Sequence, residues 1–177
     1  MDTSMGFTPL AGVPMGTRSG DIDPAVLEYL AAKKHYTVLD CINYLNKQCG
    51  VAGISGVSSD FRDLTKAADE GNERAQLALD VFAYDVKKYI GSYIAAMDGL
   101  DCLVFTAGIG ENTWLVREMI CDNMDYFGIR IDKERNSKKN DGTIHDISAA
   151  DSKVKVLVIH TNEELVIARE TKELLEG

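Results

Sequence analysis

Two short apolar runs constrain this chain more than any other feature. Residues 102–106 read Cys-Leu-Val-Phe-Thr and residues 154–159 read Val-Lys-Val-Leu-Val-Ile, each followed by a helical pattern. Runs this short, bounded by turn residues, are buried strands. Strand–helix–strand–helix order needs crossover helices, so residues 99–177 are predicted to be an α/β segment, a mostly parallel sheet flanked by helices. Helices are expected at about 113–124 and 163–175, the second capped by Thr161 with Glu164 three residues on. Short strands are expected near 128–131 and 143–147, separated by a charged, exposed excursion over 132–142.

Before residue 99 the periodicity is helical. Residues 1–22 hold glycines and prolines without sustained periodicity and read as loops and short extended pieces. Asp23-Pro24 starts a helix, Asp as N-cap and Pro at the first helical position, with Val26, Leu27, Tyr29 and Leu30 as its apolar face. A second helix begins near Thr37, turns Leu39, Ile42 and Leu45 inward, and stops before Gly50. Residues 50–59 read as a flexible loop of small residues, residues 60–70 as a helix, and Gly71-Asn72 as a break. The long helix predicted for Glu73–Met97 carries Ala75, Ala78, Phe82, Val86, Tyr89, Tyr93 and Met97 as a core stripe.

Composition removes several function classes. Nineteen Lys+Arg against 28 Asp+Glu leave a net charge of −9 with no basic stripe, which argues against nucleic acid and anionic membranes as partners. No apolar run approaches the roughly 20 residues of a membrane span. Residues 1–20 lack the basic start and apolar stretch of a signal peptide, so a cytoplasmic protein is expected. Cys41, Cys49, Cys102 and Cys121 form no CxxC pair and read as free thiols, and three scattered histidines suggest no metal cage.

Four segments can carry chemistry. Thr106-Ala-Gly-Ile-Gly-Glu-Asn112 sits between a strand and a helix, where Gly108 and Gly110 allow a tight turn and a close backbone approach to phosphate or ribose oxygens. It completes neither GxGxxG nor GxxxxGK[ST], and a plain strand–turn–helix is the alternative. His160-Thr-Asn-Glu-Glu164 places carboxylates at a strand end, suited to Mg²⁺ or simply to capping a helix. Arg18 lies amid glycines, where a guanidinium can stabilise a transferring phosphoryl group or pair with Asp21 or Asp23. Ser58-Ser-Asp-Phe-Arg62 offers a carboxylate for ribose hydroxyls and a guanidinium to stack on a base; its plain alternative is an N-cap.

In this order the segments DTSMGFTPLAGVPMGTRSGDIDP, SGVSSDFRD, VFTAGIGEN and VKVLVIHTNEELVIAR resemble the signature segments of acetate kinase and of short-chain-acid relatives such as propionate kinase. The resemblance runs from Asp2 to about Lys172, with Ala107 where that family usually has a second Gly and His160 where it usually has Pro. It implies a phosphotransferase that moves a phosphoryl group between ATP and acetate, giving ADP and acetyl phosphate. The implied fold is that of two ribonuclease-H-like (actin-like ATPase) domains, of which this chain is a carboxy-terminal, nucleotide-binding portion without the amino-terminal domain.

By the same resemblance Arg18 is catalytic, and Asp60, Phe61 and Arg62 contact nucleotide. Gly108, Ile109, Gly110, Glu111 and Asn112 cradle it, and Glu163 serves Mg²⁺. No residue matches the family's catalytic Asp, its acid-binding Arg, its phosphate-segment histidine or its amino-terminal Asn near the metal. The chain alone is therefore expected to be inactive, and a homodimer is expected. The alternatives are a propionate kinase portion and a non-catalytic dimerisation or regulatory module.

Overall fold

The structure, a computed structural model, describes residues 2–138, 142 and 144–176, without the side chain of Glu163. It divides into two compact units, residues 1–100 with 118–122, and residues 101–117 with 123–177.

The first unit is helical. After residues that form no regular element come α1 (Ala25–Lys34), α2 (Val38–Lys47), α3 (Gly50–Ser55), α4 (Phe61–Asp69) and α5 (Glu73–Met97). The Asp23 carboxylate accepts the Ala25 N–H at 2.9 Å, but α1 begins at Ala25 with Pro24, not Asp23, at its N-cap; it buries no residue and Tyr29 is exposed. Thr37 and Asp40 close a reciprocal capping box on α2. The inward face of α2 is Cys41 and Leu45; Leu39, expected inside, is 68% exposed. The expected loop at 50–59 is a correction: its first half is α3, whose Val51 and Ser55 are buried. Of the α5 stripe, Ala75, Ala78 and Phe82 are core, joined by Leu79, Ala83 and Ile90; Val86, Tyr89 and Tyr93 are half-buried and Met97 is exposed.

The second unit is α/β, with helices around a small mixed sheet. Its strands are β1 (Cys102–Phe105), β2 (His145–Asp146) and β3 (Lys155–Val158) in the order β1-β3-β2. β1 and β3 pair in parallel, Cys102 opposite Lys155 and Phe105 opposite Val158, while β2 runs antiparallel to β3. The sheet expected to be mostly parallel is thus parallel only on one side of β3. β3 buries Val156 and Val158, but β1 is an edge strand whose Val104 is 45% exposed. Around the sheet lie α6 (Ala107–Asn112), the start of α7 (Trp114–Cys121), α8 (Lys133–Ser137) and α9 (Glu163–Glu176). The strand expected at 128–131 is reduced to one bridge, Ile131 to Ser148. That expected at 143–147 is the two-residue β2, and its first residue lies outside the described ones. The excursion at 132–142 contains α8 and the buried Asn136; its residues 139–141 lie outside the described ones.

Candidate functional site

Of the predicted site residues, Arg18, Asp60, Phe61 and Arg62 belong to the first unit; Gly108, Ile109, Gly110, Glu111, Asn112 and Glu163 belong to the second. Each cluster has its own geometry.

Arg18 closes a tight turn in which the Met15 N–H donates to the Arg18 carbonyl at 3.0 Å. The carbonyls of Met15, Gly16 and Thr17 accept from the N–H groups of Val51, Ala52 and Cys49, each at 3.0 Å. The first turn of α3 thereby spends its free donors on the arginine turn. Gly50 makes this possible: its φ is +60°, and a Cβ there would stand 2.1 Å from the Met15 carbonyl oxygen. The half-buried Arg18 guanidinium rests against Met15, Nη1 3.4 Å from Sδ. Neither aspartate proposed as its partner takes it. Asp21 accepts the Gly12 N–H and the Tyr89 hydroxyl, and Asp23 accepts the Ala25 N–H. With Thr17 and Ser59, Arg18 lines a cavity of about 520 Å³.

Asp60 caps α4, accepting the Arg62 N–H at 2.8 Å and its guanidinium at 2.6 Å. Those bonds hold the Asp60 carboxyl down to about 2. The Arg62 side chain stays open to solvent, so its face can stack on a ring. Phe61 is 4% exposed, its ring edge-on to Phe82 at 4.7 Å. Its side chain is core, and only its backbone is placed to serve a ligand.

In the second unit the chain leaves β1 at Phe105 and enters α6 directly. The tight turn predicted for Gly108 and Gly110 is made instead by Ala107, whose φ is +58°. Gly108 faces open space, and Gly110 packs against Phe105, where a Cβ would stand 3.2 Å from the backbone. Glu111 points back across the end of β3. It accepts the Thr161 N–H at 2.8 Å and pairs with the His160 ring. The Thr161 N–H is the main cause that lowers its carboxyl below the usual range. Thr161 Oγ1 accepts the Ala107 N–H at 3.1 Å and bonds Thr106 Oγ1 at 2.5 Å. The expected cap of α9 therefore moves one residue on: Asn162 accepts the Leu165 N–H at 3.0 Å. The exposed Asn112 amide donates to the Gly108 carbonyl at 2.9 Å.

Ala107, Gly108, Glu111, Thr161, Asn162 and Glu164 line a cavity of about 440 Å³. The Glu163 side chain lies outside the described atoms. The carboxylate, amide and hydroxyl lining are hard oxygen donors, which suit Mg²⁺ held by one or two carboxylates and a phosphate ligand. Among the described residues no three His, Cys, Asp or Glu converge as a protein-only cage.

Sequence reasoning missed the support behind this loop. Arg117, 3% exposed, donates from Nη1 to the carbonyls of Gly110 and Glu111 at 2.8 and 3.0 Å. It also donates to Asn136, Nε to Oδ1 and Nη2 to the carbonyl, both at 2.8 Å. Asn136 Nδ2 in turn donates to the Trp114 carbonyl at 2.9 Å. A polar Asn inside a run of charged residues carried no signal of burial.

Sequence similarity to the Acetokinase family extends over residues 1–169. The acetate kinase of Caldicellulosiruptor saccharolyticus is 60% identical over 176 residues, 99% of this chain and 44% of that protein. The crystal structure of Porphyromonas gingivalis acetate kinase superimposes with a TM-score of 0.91 at 46% identity, covering 97% of this chain and 43% of that one. A propionate kinase from Francisella tularensis gives a TM-score of 0.88 at 42% identity, over 96% of this chain and 43% of its own. The chain thus spans about 44% of the length of the curated relatives it matches. With the family's segments present from the arginine turn to the start of α9, this chain belongs to the acetokinase family.

Proposed function

We propose that these residues are the nucleotide-side part of an acetate kinase, which transfers a phosphoryl group between ATP and acetate to give ADP and acetyl phosphate. The observation that carries the reading is Arg18: a guanidinium with no carboxylate partner among the described residues, on a turn fixed by three backbone bonds to α3. Phosphoryl transfer asks for little else than positioning and charge neutralisation. A planar, permanently charged fork held in place can meet negative charge on the equatorial oxygens of the transferring group. The loop of Gly108, Ile109, Gly110, Glu111 and Asn112, strapped to Thr161, supplies a rigid wall for nucleotide. In the first unit, the exposed face of Arg62 is available to stack on a ring.

Glu111 and Glu164 make the second cavity acidic, so phosphates reach it together with a divalent cation. Glu163 and Glu164 are the carboxylates that would hold Mg²⁺, which neutralises phosphate charge when bound. Self-association as a homodimer belongs to the same reading, with Leu77, Tyr84 and Met97 of α5 exposed and apolar. Propionate kinase remains the second reading, on the likeness to the Francisella tularensis protein.

The test is a chimaera in which these 177 residues replace the matching segment of the Caldicellulosiruptor saccharolyticus enzyme. Hydroxamate-trapped acetyl phosphate is expected from the chimaera and not from the 177 residues alone. Arg18→Ala in the chimaera should lower kcat by about 10³–10⁵ at little change in KM for ATP. A raised KM at unchanged kcat would make Arg18 a ground-state binder and overturn its assigned role.

A further inference from the structure

The cavity beside Arg18 is bordered by cationic and neutral residues. Thr17, Arg18, Asn43, Asn46, Lys47 and Ser59 line it, with Met15 and Gly16. Two cationic residues, two amides and two hydroxyls border it, and no acidic residue does among the described ones. In a chain with 28 acidic residues against 19 basic ones, a cavity bordered by two cations is where an anion gains most. The position of Lys47 is fixed by the backbone around it. It is the last residue of α2, and the segment around it is stitched to the arginine turn by Ser19 N–H to the Leu45 carbonyl at 2.9 Å and Cys49 N–H to the Thr17 carbonyl at 3.0 Å. The Thr17 hydroxyl donates to the Asn46 carbonyl at 2.9 Å, closing the same stitch from the side-chain end.

We propose that Lys47 is a second anion-binding residue of the Arg18 cavity, and that the two cations together take phosphate oxygens of a phosphorylated substrate. This rests on the phosphoryl-transfer reading for the identity of the substrate, but not for the binding of the anion. The division of labour follows from the chemistry of the two groups. Arg18 is a planar, half-buried fork set against Met15, whereas Lys47 is an exposed point charge on a flexible stem. Lys47 can follow an anion that moves, and Arg18 cannot. A merely structural role is also available to Lys47, since a cation in the last turn of α2 complements the helix dipole. That role predicts a small loss of stability on its removal and no loss of anion affinity.

Inorganic phosphate and pyrophosphate are the probes, titrated calorimetrically and by amide chemical shift into the full 177-residue chain at low and moderate salt. Lys47→Met should weaken pyrophosphate binding by about tenfold and reduce its salt dependence, since charge-assisted bonds are the stronger ones. Arg18→Met should weaken it at least as much. Lys172→Met, which removes the same charge from α9, should leave it unchanged. Equal weakening by Lys47→Met and Lys172→Met would show a net-charge effect and overturn the proposal. Unchanged affinity in Lys47→Met would overturn it as well and leave Lys47 to the helix dipole. If the chimaera made no acetyl phosphate while pyrophosphate binding still depended on Lys47, the reaction would fall and the anion site would stand.

Discussion

Replacing Asn136 by Ala is the most demanding test of how the glycine loop of the second unit is held. Asn136 is fully buried, and its side chain makes two bonds in opposite senses, accepting Arg117 Nε at 2.8 Å and donating to the Trp114 carbonyl at 2.9 Å. The variant takes the Nε bond from the Arg117 guanidinium, which keeps its bonds to the Gly110, Glu111 and Asn136 carbonyls, and it leaves the Trp114 carbonyl facing a small void. A buried polar atom that loses its bond costs about 1–3 kcal/mol. The two together predict a loss of about 2–5 kcal/mol, a large part of the roughly 5–15 kcal/mol that holds a domain together. Urea unfolding with a shared m-value reads the change, and the matched control is Asn112→Ala, whose exposed amide bonds only the Gly108 carbonyl. The control should cost less than about 1 kcal/mol. Amide exchange should also quicken at Gly110 and Glu111 in the Asn136 variant, because Arg117 holds their carbonyls. Equal, small losses in the two variants would refute the argument that the Arg117–Asn136 pair braces the loop.

Ala107→Gly should stabilise the second unit by up to about 1 kcal/mol in thermal melts, because a left-handed Ala at φ +58° is strained by about 1–2 kcal/mol and glycine returns part of that as chain entropy. Gly50→Ala should cost about 3 kcal/mol or more, since its Cβ would meet the Met15 and Arg18 carbonyl oxygens at 2.1 and 2.7 Å, and a chevron or urea curve that barely moves would contradict the stitched turn. Asp146, bonded to Ser148 and to Lys155 Nζ at 2.9 Å, has its carboxyl held down to about 2. A depressed carboxylate stabilises above its unfolded value near 3.9 and loses that contribution as pH falls through 2. The exposed geometry limits the effect to about 1 kcal/mol, and Asp146→Asn should flatten stability across that window.

What the sequence disclosed and what it hid divide along one physical line: whether an element is specified by its own residues or by its neighbours. α5 and β3 announce themselves, one through a long periodic stripe and the other through β-branched residues bounded by turns. α3 does not, because Gly-Val-Ala-Gly-Ile-Ser has no amphipathic period; it is helical because the arginine turn satisfies its first donors and Val51 and Ser55 are buried. Leu39 was expected inside because it is apolar, yet the face of α2 that meets the core is set by Cys41 and Leu45, four apart, and Leu39 does not share it. Val104 is exposed because β1 is an edge strand, and edge position is a property of the sheet rather than of the strand.

The site follows the same line with a different consequence. The residues proposed to face ligand lie in glycine-rich or polar segments at element ends, and these stand out in a sequence because glycines and lone cations have few structural uses there. Arg18, Arg62 and Gly108 are proposed for that reason. The residues that aim them are scattered, and each looks ordinary alone: Gly50 and Val51 behind Arg18, Arg117 and Asn136 behind Gly110 and Glu111, Thr161 behind Ala107. Their partners are backbone carbonyls and amides, which every residue possesses, so no side-chain pattern reports them. Ala107 shows the two kinds of information in conflict. A left-handed turn at the end of a strand favours Gly, and this chain carries Ala, held there by a Thr161 hydroxyl 54 residues away. The strain at Ala107 and the bond that opposes it belong to one device, so Thr161→Val should loosen the loop more in this chain than in its Ala107→Gly variant. A double-mutant cycle read by melting temperature and by ADP-Mg²⁺ affinity measures that coupling, and strict additivity would show that Thr161 and Ala107 act independently.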